Sequence, residues 1–341
     1  MLSELAPAPT LRHAYIMTLL EAVGIEFHIV GRAGRGRKAR TRCALARSFL
    51  VKHHLGVPTT KAFREVLLTD EAMRALCGFW KEVPSESTFS RAFAEFARKG
   101  LADLTLDHLA KKALGKSVVM HVSRDSTAVT AREKPLIKPK KESAPKGRRG
   151  RKKGVPPAPK SPTRLERQLG QAVSVALAEL PIACDKGTKR NSKGHDIHWN
   201  GYKFHVDVTD QGIPISAVTT SASVHDSQVA IPLMRLTATR AMAVCYQLMD
   251  AGYAGKPIAL AAEALGQIPI VAPRAYCNTP AIPLNPAQKS RFRGRTAVER
   301  FFSDLKDNRG GDSVRVRGKE KVHLHLMFGL LDILAMKLVA S

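Results

Sequence analysis

The chain is short of cysteine and of acid. Its five cysteines, Cys43, Cys77, Cys184, Cys245 and Cys277, are scattered, odd in number and never spaced C-x-x-C. That pattern argues against a zinc ribbon and a disulfide framework, and it fits a reducing cytoplasm. The N-terminus lacks a charged segment leading into an apolar run, so no signal peptide is expected. The apolar run at 323–340 is broken by Asp332 and Lys337, and its Leu/Met/Ile spacing reads as a packed soluble helix rather than a membrane span. Asp and Glu number 29 against 55 Lys and Arg, a formal net charge of +26. A chain this basic repels itself unless it works against a polyanion, so nucleic acid is the expected partner. A membrane surface is the weaker alternative, because the cations are spread along the chain and form no amphipathic anchor.

At 341 residues and 44% hydrophobic, the chain is long enough for two domains. Residues 11 to about 113 carry helical patterning at 11–23, 40–54, 61–67, 71–79, 86–98 and 101–114. In the stretch V-P-S-E-S-T-F-S-R-A-F-A-E-F-A-R-K-G, either Ser85 or Ser87 caps a helix whose Phe89, Phe93 and Phe96 form one face, and Gly100 ends it. Two readings stay open for this region. One is a plain helical bundle; the other is a helix-turn-helix that shows Ser90, Arg91 and Arg98 to DNA.

A short β-type run at 118–122 leads into S-R-D-S-T, after which composition changes abruptly. The segment 131–163 is rich in Lys, Arg, Pro and Gly, cannot bury a core, and is expected to be a disordered or extended insertion. It contains R-G-R-K at 149–152, repeating the tetrapeptide at 35–38, and Arg149, Arg151 and Lys152 are candidate phosphate contacts. Beyond it a helix is expected at 165–180, then a hairpin of strands at 202–208 and 213–219 about the turn Gln211-Gly212. His195 and His198 fall in a polar loop and read as surface residues. A helix at 227–239, a strand at 243–249, a helix at 259–265 and a strand at 268–271 follow. This alternation means a mixed α/β sheet flanked by helices.

The segment 291–308 reads as the helix around which the rest is organised. Val298, Phe301, Phe302 and Leu305 make its apolar stripe, while Arg295, Glu299 and Lys306 share another face. Two cations beside one acid suit an anionic ligand such as phosphate. Asp125 and Asp250 each directly follow a β-type run, where ligands gather in open α/β sheets. Three converging carboxylates need cations to neutralise them, and hard oxygen ligands select Mg²⁺ or Mn²⁺. Two such ions, about 3.5–4 Å apart, serve phosphodiester displacement.

The segments R-D-S-T-A-V, G-Y-K-F-H-V-D-V, S-A-S-V-H-D-S, L-M-D-A-G-Y and R-T-A-V-E-R-F-F-S-D-L-K resemble the DDE transposases of bacterial insertion sequences. The similarity extends to the branch whose last catalytic helix carries Y-x2-R-x3-E-x6-K. Arg295, Glu299 and Lys306 fall on its R, E and K, and Phe292 stands in the tyrosine position. The resemblance implies a ribonuclease-H-like catalytic domain at 115–341, preceded by an all-α DNA-binding and dimerisation region at 1–114 and carrying the basic insertion after its first strand. It further implies Asp125, Asp250 and Glu299 as ligands of two divalent ions, with Arg295 and Lys306 on DNA phosphates. His225 and Asp226, in the V-H-D-S stretch, are expected to support the site. The implied partners are transposon ends and target DNA, with a homodimer in the DNA complex. The rival expectations are a repurposed DNA-binding protein without catalysis, and a nuclease that never joins strands.

Overall fold

A computed structural model of the chain describes residues 9–29, 40–137, 161–190, 193–275 and 280–340. Arg149, Arg151 and Lys152 lie outside the described residues. The first six helices are α1 (Leu11–Val23), α2 (Arg40–His54), α3 (Thr60–Thr69), α4 (Glu71–Cys77), α5 (Glu86–Arg98) and α6 (Leu101–Leu114). In α5 the expected phenylalanine face is buried, with Phe89, Phe93 and Phe96 all under one-tenth exposed. Ser85 takes the cap position, but its hydroxyl reaches those of Ser87 and Thr88 rather than a backbone N–H.

The sheet region runs β1 (Val118–Thr130), α7 (Arg164–Gly170), α8 (Val173–Ala178), β2 (Asp185–Arg190), β3 (Asp196–Thr209), β4 (Pro214–Ser221), α9 (Ser227–Ala238), β5 (Ala243–Met249), α10 (Lys256–Ala264) and β6 (Ile268–Val271). Last come α11 (Pro286–Phe292), α12 (Thr296–Asp307) and α13 (Lys319–Ala340). The six strands form one mixed sheet in the order β2-β3-β1-β5-β6, with β4 pairing β3 as well. β1 is antiparallel to β3 and parallel to β5.

Four expectations change. β1 does not stop at Val122; it continues through Asp125 to Thr130, because β3 pairs it along that whole length. Asp125 therefore sits within a strand, not after one. Residues 185–190 and 196–200 form a polar, largely exposed strand pair, which lacks the alternation that betrays half-buried strands. His198 belongs to it, its ring 2.9 Å from the Thr188 hydroxyl. The helix expected at 165–180 breaks after Gly170, where the Arg235 guanidinium collects the carbonyls of Gln168, Leu169 and Gln171. The helix expected at 291–308 is likewise broken, by a 3₁₀ turn at Arg293–Arg295.

One continuous apolar core joins the helical region to the sheet, and α13 runs through it. This helix contacts α1, α2, α5, α6 and β4. Phe328 stacks obliquely on Phe49, 5.5 Å away, and Phe49 meets Phe89, Phe93 and Phe96 edge-on. By length and composition α13 is apolar enough to cross a membrane, but residues 322–335 are buried inside this fold. A helix mainly apolar all round suits such a central position, and its buried His323, His325 and Asp332 each find a polar partner.

Gly201 is where β3 passes from its β2 partner to its β1 partner. Its φ is +153°, and a Cβ there would lie 2.1 Å from the Val129 carbonyl oxygen. Gly201→Ala should lose on the order of 2 kcal/mol or more, since the obstruction is backbone rather than a movable side chain. Chemical denaturation checks it; an unchanged midpoint would refute the close approach.

Candidate active site

Register brings the first two acids together. In the parallel β1–β5 pair Arg124 lies opposite Met249, so the next residues, Asp125 and Asp250, stand side by side on neighbouring strands. Such strands are about 4.8 Å apart. Asp250 leaves its strand in a turn whose Gly252 N–H donates to Asp250 Oδ1 at 2.9 Å. Asp125 Oδ1 accepts from the Ser126 N–H at 2.8 Å.

The third acid arrives on α12, seated by the apolar stripe Val298, Phe301, Phe302 and Leu305, all buried. The 3₁₀ turn before it packs directly on the sheet. Ser123 Oγ donates to the Gly294 carbonyl at 3.2 Å, and a Cβ at Gly294 would press on Leu248 at 3.3 Å. This docking delivers Arg295, whose guanidinium donates to Asp125 Oδ2 at 2.5 Å and to Glu299 Oε1 at 2.7 Å. The arginine thus clamps the first acid to the third. Lys306, two turns on, lies 3.7 Å from Asp312 and does not reach the acids.

One arginine does not balance this site. Burial, opposed by Arg295 and reinforced by Asp250 and Asp226, pushes the Asp125 carboxyl up to about 6. Tyr253 is fully buried, its hydroxyl has no hydrogen-bond partner, and burial with the nearby acids holds its pKa well above the ordinary value. Under-compensated oxygens and an orphaned hydroxyl are what a hard cation would satisfy, and the all-oxygen donor set suits one. Among the described residues, though, no three candidate ligands are gathered closely enough to hold an ion. Arg295 occupies the position between Asp125 and Glu299, and it must swing aside for a metal to be seated there.

Strand alternation makes the opposite face a second polar layer. Arg124 is fully buried and pairs with Asp207 through two bonds, of 2.8 and 2.6 Å, and the Thr237 hydroxyl adds another at 2.6 Å. Lys203 Nζ donates to Asp226 Oδ1 at 2.9 Å and to the Val224 carbonyl at 3.0 Å. Asp226 keeps a lowered pKa: burial raises it, but His205, Lys203 and Ser126 outweigh that. His225 is exposed and turned to Ser227, 2.8 Å away, at the start of α9. Phe292 ends α11 half-buried, and Arg91 is exposed on α5, away from the acids. Sequence spacing assigns no role to Arg124, Lys203, Asp207 or Tyr253. The signal was present in β3, where Lys203, His205 and Asp207 alternate with Tyr202, Phe204, Val206 and Val208. A buried strand with one polar face points that face at a network.

Comparison with known families decides the matter. The family model described as "Transposase DDE domain" matches residues 121–332, and "Transposase domain (DUF772)" matches residues 16–95. The chain belongs to the DDE transposases. The first match spans well over half the chain and includes all three acids, and the second covers most of the helical region. The transposase is therefore an enzyme that acts on DNA, of a family that uses divalent metal ions. No curated protein and no solved structure gives a significant match.

Proposed function

We propose that the chain binds the terminal inverted repeats of an insertion sequence, hydrolyses the phosphodiester at the element's ends and transfers the exposed 3′-hydroxyl to target DNA. The observation that supports this best is the clamp of Arg295 between Asp125 and Glu299, beside Asp250, in a site whose own cations leave Asp125 under-compensated. Asp125, Asp250 and Glu299 would hold two divalent cations, Mg²⁺ or Mn²⁺, which supply an activated water and stabilise the leaving oxygen. Arg295, freed from the acids, presents a planar fork to a DNA phosphate, the geometry that guanidinium groups match best. Lys306 serves a further phosphate as a point charge.

On this reading the sheet is ribonuclease-H-like, residues 1–114 recognise the element ends and pair two protomers, and residues 115–341 carry the chemistry. Asp226 and Lys203 position β1 from behind. The protein works in the cytoplasm on the nucleoid. One residue favours a second reading: Phe292 has no hydroxyl to offer a phosphate, as a repurposed end-binding protein would tolerate.

A labelled duplex carrying the element's own end separates these. Wild type with Mg²⁺ or Mn²⁺ should nick it, while chelator or Glu299→Ala should stop the nicking and leave binding intact. Binding without nicking in either metal would replace the transposase reading with the repurposed one. Nicking without joining would leave a nuclease.

A further inference from the structure

A basic cleft lies apart from the acids, between the helical region and the loop that leads into α13. It encloses about 540 Å³ over a floor that includes Phe49, Phe89 and Phe93. Five cations line it: Lys52 of α2, Arg132 just past β1, Arg315 and Arg317 of the loop, and Lys321 in the first turn of α13. Among the described residues no carboxylate lines this cleft, and none of the five is ion-paired. Elsewhere several partly buried arginines are matched with acids, Arg42 with Glu95, Arg240 with Asp107 and Arg309 with Asp332.

Lys52 is the telling member. It is 6% exposed, at the base of a cleft whose mouth residues Arg315 and Arg317 are open to solvent. Burial and the neighbouring Arg315 bring its pKa down to about 8, so it is still mostly charged at pH 7. An apolar side chain would fill that place at less cost than an unmatched ammonium. Thr59 and Thr60, where α3 begins, and Ser90 add hydroxyls to the wall. Convergent cations with hydroxyls and no acid are a phosphate-binding set.

We propose that this cleft binds a phosphate of the flanking DNA backbone, several base pairs from the cleaved position, as a second anchor separate from the acid site. It rests on the DNA-processing reading in that a duplex is the ligand. Arg132 lies seven residues beyond Asp125, just past the end of β1, at most about 23 Å away at about 3.3 Å per residue. That corresponds to up to about seven base pairs of duplex rise, so the contact falls on flanking DNA.

The test is the salt dependence of duplex binding by the full chain, measured by fluorescence anisotropy. Each neutralised phosphate contributes about 0.9 to the slope of log K against log salt. Arg315→Gln with Arg317→Gln should flatten the slope by about 1 and weaken binding roughly tenfold near 0.15 M salt. The charge-matched pair Lys112→Gln with Lys116→Gln, both exposed and outside the cleft, should leave the slope nearly unchanged. Lys52→Met should act in the same direction as the cleft pair without lowering the melting temperature. Equal losses in the two pairs, or no loss in the cleft pair, would overturn the proposal. Inorganic phosphate is titrated calorimetrically in parallel. Phosphate binding that the cleft pair removes, with the duplex slope unaltered, would mean a free-phosphate site and also overturn it. A wild-type chain that binds no duplex would sink the DNA reading itself, an outcome distinct from a slope that fails to change.

Discussion

Asp125→Asn is expected to abolish strand cleavage and, in metal-free buffer at pH 7, to raise the melting temperature. Both effects come from one cause. The folded carboxyl holds its proton up to about 6, against 3.8 for the ordinary aspartate, so the fold disfavours the charged form. Protonation favours the folded state, and this contribution is fully present below about pH 3.8 and lost as pH rises through about 6. At pH 7 the charged carboxylate therefore costs stability, up to about 3 kcal/mol for a displacement of this size. Asparagine copies the neutral form, though it gives up the charge-assisted bond from Arg295. A net gain of about 1–3 kcal/mol, a few degrees in melting temperature, is the expected balance. The difference between the two proteins should shrink as pH falls toward 4. Added Mg²⁺ should stabilise wild type and leave Asp125→Asn unmoved, because a cation that binds the folded site contributes only where its ligands remain. Identical melting at pH 7 would remove the electrostatic argument. A variant that cleaves at the wild-type rate would remove Asp125 from the chemistry.

The same residue shows what sequence conveys and what it withholds. The long amphipathic helices were legible because burial on one face imposes a 3.6-residue period, and α1, α2, α5 and α6 have the bounds that period implied. The strand β5 was legible as a mainly apolar run, broken only by Gln247 and followed by Asp250. β1 was legible only to Val122, because Ser123-Arg124-Asp125-Ser126 looks like a turn when its partners are not in view. Those polar residues stay in a strand because each has a remote partner: Gly294 for Ser123, Asp207 for Arg124, Arg295 for Asp125. Nothing local encodes such pairings.

The chemistry divides in the same way. Spacing placed Arg295 one helical turn from Glu299, and the two do meet at 2.7 Å. Spacing did not reveal that the same guanidinium crosses to Asp125, which depends on the close seat of Gly294 against Leu248. Nor did it show that the turn interrupts the helix, so that Arg295 stands at its cap. In the structure an arginine stands between two acids, and the proposed metal-bound state requires it to leave them.

Asp207→Ala should be the most destabilising single change in the catalytic half, costing about 3–5 kcal/mol. Arg124 and Asp207 face each other across β1 and β3, and both side chains are fully shielded from solvent. Without the carboxylate, the guanidinium keeps only a 3.7 Å contact to Met249 Sδ, and the Thr237 hydroxyl loses its acceptor. A buried charge deprived of its partner carries its whole desolvation cost, whereas removing both charges together carries little. Arg124→Met with Asp207→Leu should therefore recover most of the loss, and the coupling from the full double-mutant cycle measures the pair directly. A fully rescued fold still tests position. Arg124 immediately precedes Asp125, and Met249, opposite it on β5, immediately precedes Asp250, so the pair lies next to the register in which the two acids stand side by side. If the double variant recovers stability and not metal-dependent nicking, the buried pair aligns the acids as well as holding the strands. If Asp207→Ala alone shifts stability by less than about 1 kcal/mol, water has reached Arg124 and the pair does not hold this part of the sheet.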